Sequence, residues 1–166
     1  MGVVKRTVGA GGGGGGGSPD VVLVEALLTS STTFSVAAGT RSTLVFDNEV
    51  IDVAGLYDET TGIFSSAANR LVKLNATARL NGSGTLGNDR LIIDVFNVTD
   101  SVPVAPMAGE ISGFTGTGFP TLSTTARPFL MEAGKDYRID ITNLSGGSTN
   151  VFGNAAGATS LFLWGV

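Results

Sequence analysis

Gly55-Leu56-Tyr57-Asp58-Glu59-Thr60-Thr61-Gly62-Ile63-Phe64 is the stretch whose reading decides the fold. Its middle is turn chemistry. The Asp58 side chain is placed to accept from backbone just ahead of it, and Gly62 tolerates the left-handed conformation that closes such a turn. Tyr57 and Phe64 flank the turn as large side chains suited to a core or a subunit contact. Asp58 and Glu59 also offer two carboxylates to a cation. The Asp-x-Asp-x-Asp-Gly spacing of a calcium loop is missing, so they read as a solvated turn and we expect no metal.

Outward from this turn the chain alternates like a β protein. In Arg70 to Leu80, residues Leu74, Ala76, Ala78 and Leu80 share one face and Lys73, Asn75, Thr77 and Arg79 the other, which predicts a half-buried strand. Asn81-Gly82-Ser83-Gly84 follows as a turn. Arg90 to Val98 predicts a strand covered on both sides, because Ile92 and Phe96 flank Asp94 on the face opposite Leu91, Ile93 and Val95. Asp136 to Thr142 predicts a strand with Tyr137, Ile139 and Ile141 inward and Asp136, Arg138, Asp140 and Thr142 on an exposed, cross-strand paired face. Ser160 to Val166 is an apolar closing strand. Shorter strands are expected at Val21–Leu28, Thr33–Val36, Ser42–Phe46, Glu49–Val53, Ile63–Ser65 and Ala126–Met131. Thr99 to Pro120 reads as loop, or as loop broken by one short strand. Eight to ten short antiparallel strands with turn signals between them predict an all-β jelly-roll sandwich over residues 19–166.

The opening stretch resembles the G-x-Y-D-x-x-T-G-x-F signature of the complement-type globular head, in the tumour necrosis factor-like jelly-roll superfamily. Phe46-Asp47-Asn48-Glu49-Val50 is similar to the strand before that signature, and Arg70 to Leu80 to the long strand after it. Ala133-Gly134-Lys135-Asp136-Tyr137-Arg138-Ile139 and Thr159-Ser160-Leu161-Phe162-Leu163-Trp164-Gly165-Val166 resemble two later strands. The likeness spans about residues 30–166. Ser66-Ala67-Ala68-Asn69-Arg70-Leu71 stands where the family has a proline and a Gly-Tyr, and no Gly-X-Y stalk is present. The resemblance implies a compact homotrimer of ten-stranded jelly rolls, without implying a ligand.

Composition narrows the function. Histidine and cysteine are both absent, which removes the commonest general base, the commonest metal ligand and all thiolate chemistry. No Gly-x-Ser-x-Gly elbow and no phosphate-binding loop is present. No carboxylate pair stands out as glycosidase-like, so we expect neither an enzyme nor a cofactor. A net charge of −4 disfavours nucleic acid, and no apolar run is long enough to span a membrane. Charged residues make up 14% of the chain, against a usual share of roughly 25%. Together with a mean hydropathy of +0.30, this points to apolar surface buried between subunits. Four Asn-x-Ser/Thr triplets, at Asn75, Asn81, Asn97 and Asn143, read as chance matches.

Residues 1–18 form a separate arm. Val3, Val4, Lys5, Arg6, Thr7 and Val8 make a short β-capable piece, and Gly11 to Gly17 a tether. Glycine follows the basic residues where a secretory signal needs an apolar region, and Arg6 stands where myristoylation needs Ser or Thr. We expect the arm to dock into a neighbouring protein, and Tyr57, Phe64, Tyr137, Phe162 and Trp164 to anchor the core or the trimer. Phe114 and Phe119, among glycines in a long loop, are candidate contacts for a partner. The leading expectation is a homotrimeric bacteriophage virion protein, assembled in the host cytoplasm. Its arm would hold it to the major capsid or tail protein as capsid decoration. The alternatives are a tail or fibre receptor-binding tip, or a lectin head binding host-surface glycan.

Overall fold

The computed structural model describes residues 21–29, 34–53, 55–81, 90–104, 109–112, 120–124, 127–144, 146–153 and 159–166. The arm, the glycine tether, Phe114 and Phe119 lie outside the described residues. The described chain is all β. Its strands are β1 (Val21–Leu27), β2 (Phe34–Val36), β3 (Arg41–Leu44), β4 (Asn48–Asp52), β5 (Tyr57–Asp58), β6 (Ile63–Ser65), β7 (Arg70–Asn81) and β8 (Arg90–Asn97). They continue as β9 (Val102–Pro103), β10 (Gly109–Ser112), β11 (Thr121–Ser123), β12 (Pro128–Met131), β13 (Asp136–Asn143), β14 (Thr149–Phe152) and β15 (Ser160–Gly165).

Two antiparallel sheets pack face to face as a jelly-roll sandwich. In the eight-stranded sheet β7 is the spine. It pairs with β15 and β14 along one edge and with β12 and β11 along the other. Thr77 lies between Ser160 and Ser123, and Arg79 between Phe152 and Thr121. The sheet continues from β15 through β1 to β4, and from β14 to β2. In the seven-stranded sheet β13 is central, with β8 on one side and β6 and β3 on the other; β10 and β9 pair with β8, and β5 with β6. The alternation of β7 sends Val72, Leu74, Ala76, Ala78 and Leu80 into the core, where they meet Leu91, Ile93 and Val95 of β8 and Tyr137, Ile139 and Ile141 of β13.

Each neighbour of β7 is broken into two pieces, and a threonine spans each break. The Ala76 amide donates to Thr124 Oγ1 at 2.9 Å, between β11 and β12. The Arg79 amide donates to Thr159 Oγ1 at 3.0 Å, beside β15, and that hydroxyl donates on to Phe152 O at 2.7 Å. Both threonines are buried. This division explains part of the excess over the eight to ten strands expected. It also yields β11 and β14, which were not expected from the sequence, and the described residues of Thr99–Pro120 contain two short strands, β9 and β10, rather than one or none.

The opening stretch is a turn between anchors, as read, with Tyr57–Asp58 itself pairing as β5. Gly62 has φ +74°, and a Cβ there would meet Leu44 O at 3.1 Å. Its amide donates to Asp58 O at 2.8 Å, while the Asp58 carboxylate accepts from the Thr60 amide and the Thr61 hydroxyl, both at 2.8 Å. Those two bonds hold the Asp58 carboxyl below its ordinary range. On the core side the Tyr57 hydroxyl accepts from the Phe46 amide at 2.8 Å and donates to Phe46 O at 3.1 Å. Burial raises the pKa of this phenol well above its ordinary value. Phe64 stacks on Tyr137 at 5.8 Å, and Phe129 meets Tyr137 edge-on at 5.8 Å. Phe46 lies beyond the end of β3 and is 1% exposed, so the expected strand Ser42–Phe46 stops early while its last side chain still fills the core.

The outer face of the seven-stranded sheet corrects two expectations. No second layer covers β8 there among the described residues; two arginines do. Asp94 and Asp140 face each other across β8 and β13, and Asp140, expected on an exposed face, is fully buried. Arg41 Nη2 contacts Asp94 Oδ2 at 2.9 Å and Arg138 Nε contacts Asp140 Oδ1 at 2.9 Å. Thr43 Oγ1 donates to Asp140 Oδ1 at 3.1 Å. Both guanidinium groups lie over the Phe96 ring, 4.5 and 5.2 Å from its centre, so the ring and the two cations form the lid that excludes water from the acids. The cross-strand ionic pairing expected for this face is present, but in a buried form.

Two predictions follow from these contacts. Tyr57→Phe strands the backbone amide and carbonyl of Phe46 in the core and should cost about 1–3 kcal/mol of stability; an unchanged denaturation midpoint in urea would refute the bond's structural role. The Asp94 carboxyl is pushed up to about 6 by burial, with Asp140 adding to the shift against Arg41 and Arg138. A folded pKa above the unfolded value means that the folded state holds the proton more tightly. The stability this group contributes is therefore complete below the ordinary value of 3.8 and is lost as pH rises through about 6. Urea midpoints measured across that interval should fall more steeply with pH for the natural chain than for Asp94→Asn; parallel curves would remove this account.

Candidate assembly interface

The outer face of the eight-stranded sheet has a different chemistry. Leu130 of β12 sits opposite Leu71 of β7, and Trp164 of β15 lies between Lys73 of β7 and Val22 of β1. Phe162, two residues along β15, stacks on Trp164 with ring centres 5.6 Å apart and planes 12° apart. Val166 joins the group through its amide, which donates to Leu71 O at 3.2 Å. Leu71, Leu130 and Val166 are 49%, 52% and 55% exposed. Strand alternation produces this patch: the partners that alternate with these residues, such as Val72, Leu163 and Phe129, fill the core. The face is graded along β7. Its Arg70 end is apolar, and its far end carries Asn75, Thr77, Arg79, Ser160 and Ser123.

Contiguous exposed apolar groups of this kind mark surfaces that become buried on association. Lys73 lies within the patch, between Trp164 and Pro128, and Glu25 stands beside Phe162 on its β1 side. The two outer faces thus divide the work. The face with Asp94 and Asp140 has buried its charges under its own arginines. The face with Trp164 leaves apolar area open.

Of the residues expected as anchors, Tyr57, Phe64 and Tyr137 lie in the core, at 6%, 1% and 1% exposure. Phe162 and Trp164 lie on the outer face, half-buried. The sequence reading missed Val22, Leu71 and Leu130. It took the Lys73 face of β7 as wet, and only the first residue of that strand's outer row, Leu71, signals otherwise. Asn97 and Asn143, two of the four glycosylation triplets, are buried; the Asn143 amide donates to Val36 O at 3.0 Å and to Gly147 O at 2.9 Å.

The described residues contain no group of three acidic side chains placed to hold a metal ion. An open depression of about 340 Å³ lies beside the opening turn, lined by Gly55, Tyr57, Asp58, Thr61, Ser65 and Asp136 among others. Its Asp58 is already engaged by the turn.

No protein-family model matches the chain, and no curated protein matches it in sequence. Solved structures do match it in shape. The Eiger TNF of S. frugiperda superposes with a TM-score of 0.63 at 10% identity, covering 90% of this chain and 94% of that one. Murine APRIL at pH 8.5 gives 0.60 at 8% identity, with 87% and 98% covered, and at pH 5.0 it gives 0.60 at 10%, with 86% and 98% covered. At such identities the likeness is one of fold, and the fold of this chain is a tumour necrosis factor-like jelly roll.

Proposed function

We propose that this chain is a non-enzymatic structural protein of a bacteriophage virion, a homotrimer that decorates the capsid and is anchored by its N-terminal arm. The observation that carries the assembly half of this reading is the open apolar patch around Trp164. Three copies meeting through that face would bury Phe162, Trp164, Leu71 and Leu130 together, in the trimeric arrangement that the family resemblance implies. Closed rings are a common way to bury such a surface without leaving a free copy of it.

The anchoring half is supported by composition. Val3 to Val8 favours an extended strand, and main-chain pairing with a neighbour's sheet edge makes little demand on sequence. The glycines let the backbone pass through a narrow groove, and three arms on one trimer multiply the attachment without new contacts. The partner is the major capsid protein, or a tail protein, of the same particle, and assembly takes place in the host cytoplasm.

Solution mass and particle incorporation test the two halves separately. The natural chain of 16.8 kDa should run as a species of about 50 kDa. Leu71→Glu with Leu130→Glu, both on exposed positions, should reduce it to monomer while leaving the fold intact by circular dichroism. A variant that stays trimeric would exclude this face as the interface. Deleting residues 1–18 should leave the trimer mass unchanged and abolish incorporation into particles. Retention of incorporation, or glycan binding by residues 19–166 alone on an array, would move the reading to a receptor-binding head.

A further inference from the structure

β4 ends the eight-stranded sheet, and among the described residues it pairs with β1 alone. Along Asn48 to Ile51 its other edge has no strand partner among the described residues. Asn48, Glu49 and Val50 are exposed. Open edges are usually protected by charge, and here the charge is negative. Glu49 and Asp52 lie on the strand and Glu59 stands close by. Partial desolvation, then Asp52 and Glu59, raise the Glu49 carboxyl. Such an edge repels a second β4 and favours a strand that brings cations.

The sequence holds one adjacent pair of cations, Lys5-Arg6, inside the β-capable segment Val3 to Val8. That segment is also tethered nearby. β1 is the strand beside β4, and the Val53 amide donates to Leu23 O at 2.9 Å, which puts the end of β4 next to the start of β1. Twelve residues, Gly9 to Asp20, separate the segment from Val21. A glycine-rich linker of that length spans on the order of 17–21 Å, while a strand added beyond β4 would lie two strand spacings, about 10 Å, from β1. The tether therefore reaches it with slack. It also holds the segment at an effective concentration near the millimolar range, above that of arms from other copies in dilute solution.

We propose that residues 3–8 of the free protein add as an edge strand to β4 of the same chain, with Lys5 set against Glu49 and Glu59 and Arg6 on the opposite face of the added strand. This inference rests on the strand-forming reading of the arm given above. It makes β4 the resting place that the arm leaves when a particle partner offers a better edge.

The test is zero-length carbodiimide cross-linking of the full chain, as an equal mixture of isotope-labelled and unlabelled copies, read by mass spectrometry of peptides. The expected product joins Lys5 to Glu49 or Glu59 within copies of one label. Hydrogen exchange should show β4 amides protected in the full chain and unprotected in the Lys5→Glu, Arg6→Glu variant, whose changes fall outside residues 19–166. Cross-links of mixed label would overturn the proposal in favour of arm exchange between copies. Absence of both the cross-link and the protection would overturn it outright. Either result leaves particle incorporation to be judged by the deletion of residues 1–18, so the anchor reading can survive a failure at β4.

Discussion

The architecture depends on the pairing of β7 along both of its edges. Twelve residues in one strand set the register of β11, β12, β14 and β15 at once. Because the side-chain period is two, a slip of one residue would turn Leu74, Ala76, Ala78 and Leu80 outward and put Lys73 and Arg79 into the core. Every neighbour of β7 resists that slip. The short strands, each too small to specify a position alone, inherit theirs from it. The opening turn performs the same service for the other sheet. Its Tyr57 hydroxyl ties down Phe46, and Phe64 stacks on Tyr137, so the β5–β6 hairpin is fastened to β13 through rings as well as through main chain.

The two outer faces show how one sandwich presents two kinds of surface. Over β13 and β8, a pair of facing carboxylates would be intolerable alone. Arg41 and Arg138 pair with them from β3 and β13 and lie over the Phe96 ring, so that face covers its charges within one chain. Over β7 and β15 the opposite holds. Trp164 and Phe162 stack on each other, yet Leu71, Leu130 and Val166 stay about half open. A face whose charges lie under its own side chains offers a partner little apolar area, whereas the open one invites association.

Much of the fold was legible because β7 and β13 alternate cleanly and because Gly55 to Phe64 can hardly be anything but a turn. The parts that were not legible have definite reasons. β11 and β14 have three and four residues, rich in Ser, Thr and Asn, and gain strand character only from lying against β7. Asp140 looks exposed in an alternating charged stretch. Its cover comes from Arg138 on its own strand together with Thr43 and Arg41 of β3; Arg41 also donates to Thr142, 101 residues away along the chain, and no local pattern reports the contacts from β3. The closing strand is apolar on both faces, so sequence could place Phe162 and Trp164 either in the core or in a contact. The structure puts Leu161 and Leu163 inward and the two aromatics outward. The candidate interface became visible only once Val22, Leu71 and Leu130, from three separate strands, were seen beside Trp164.

The threonine bridges at the two breaks beside β7 have a consequence for how such a domain can diversify. Where a hydroxyl replaces a main-chain partner, the chain can leave the sheet midway and return without opening a gap in the hydrogen bonding of the spine. Loop length at those two points is thereby uncoupled from strand register. Segments between β11 and β12, or between β14 and β15, are free to lengthen, shorten or acquire new surface chemistry while the barrel beneath them stays the same.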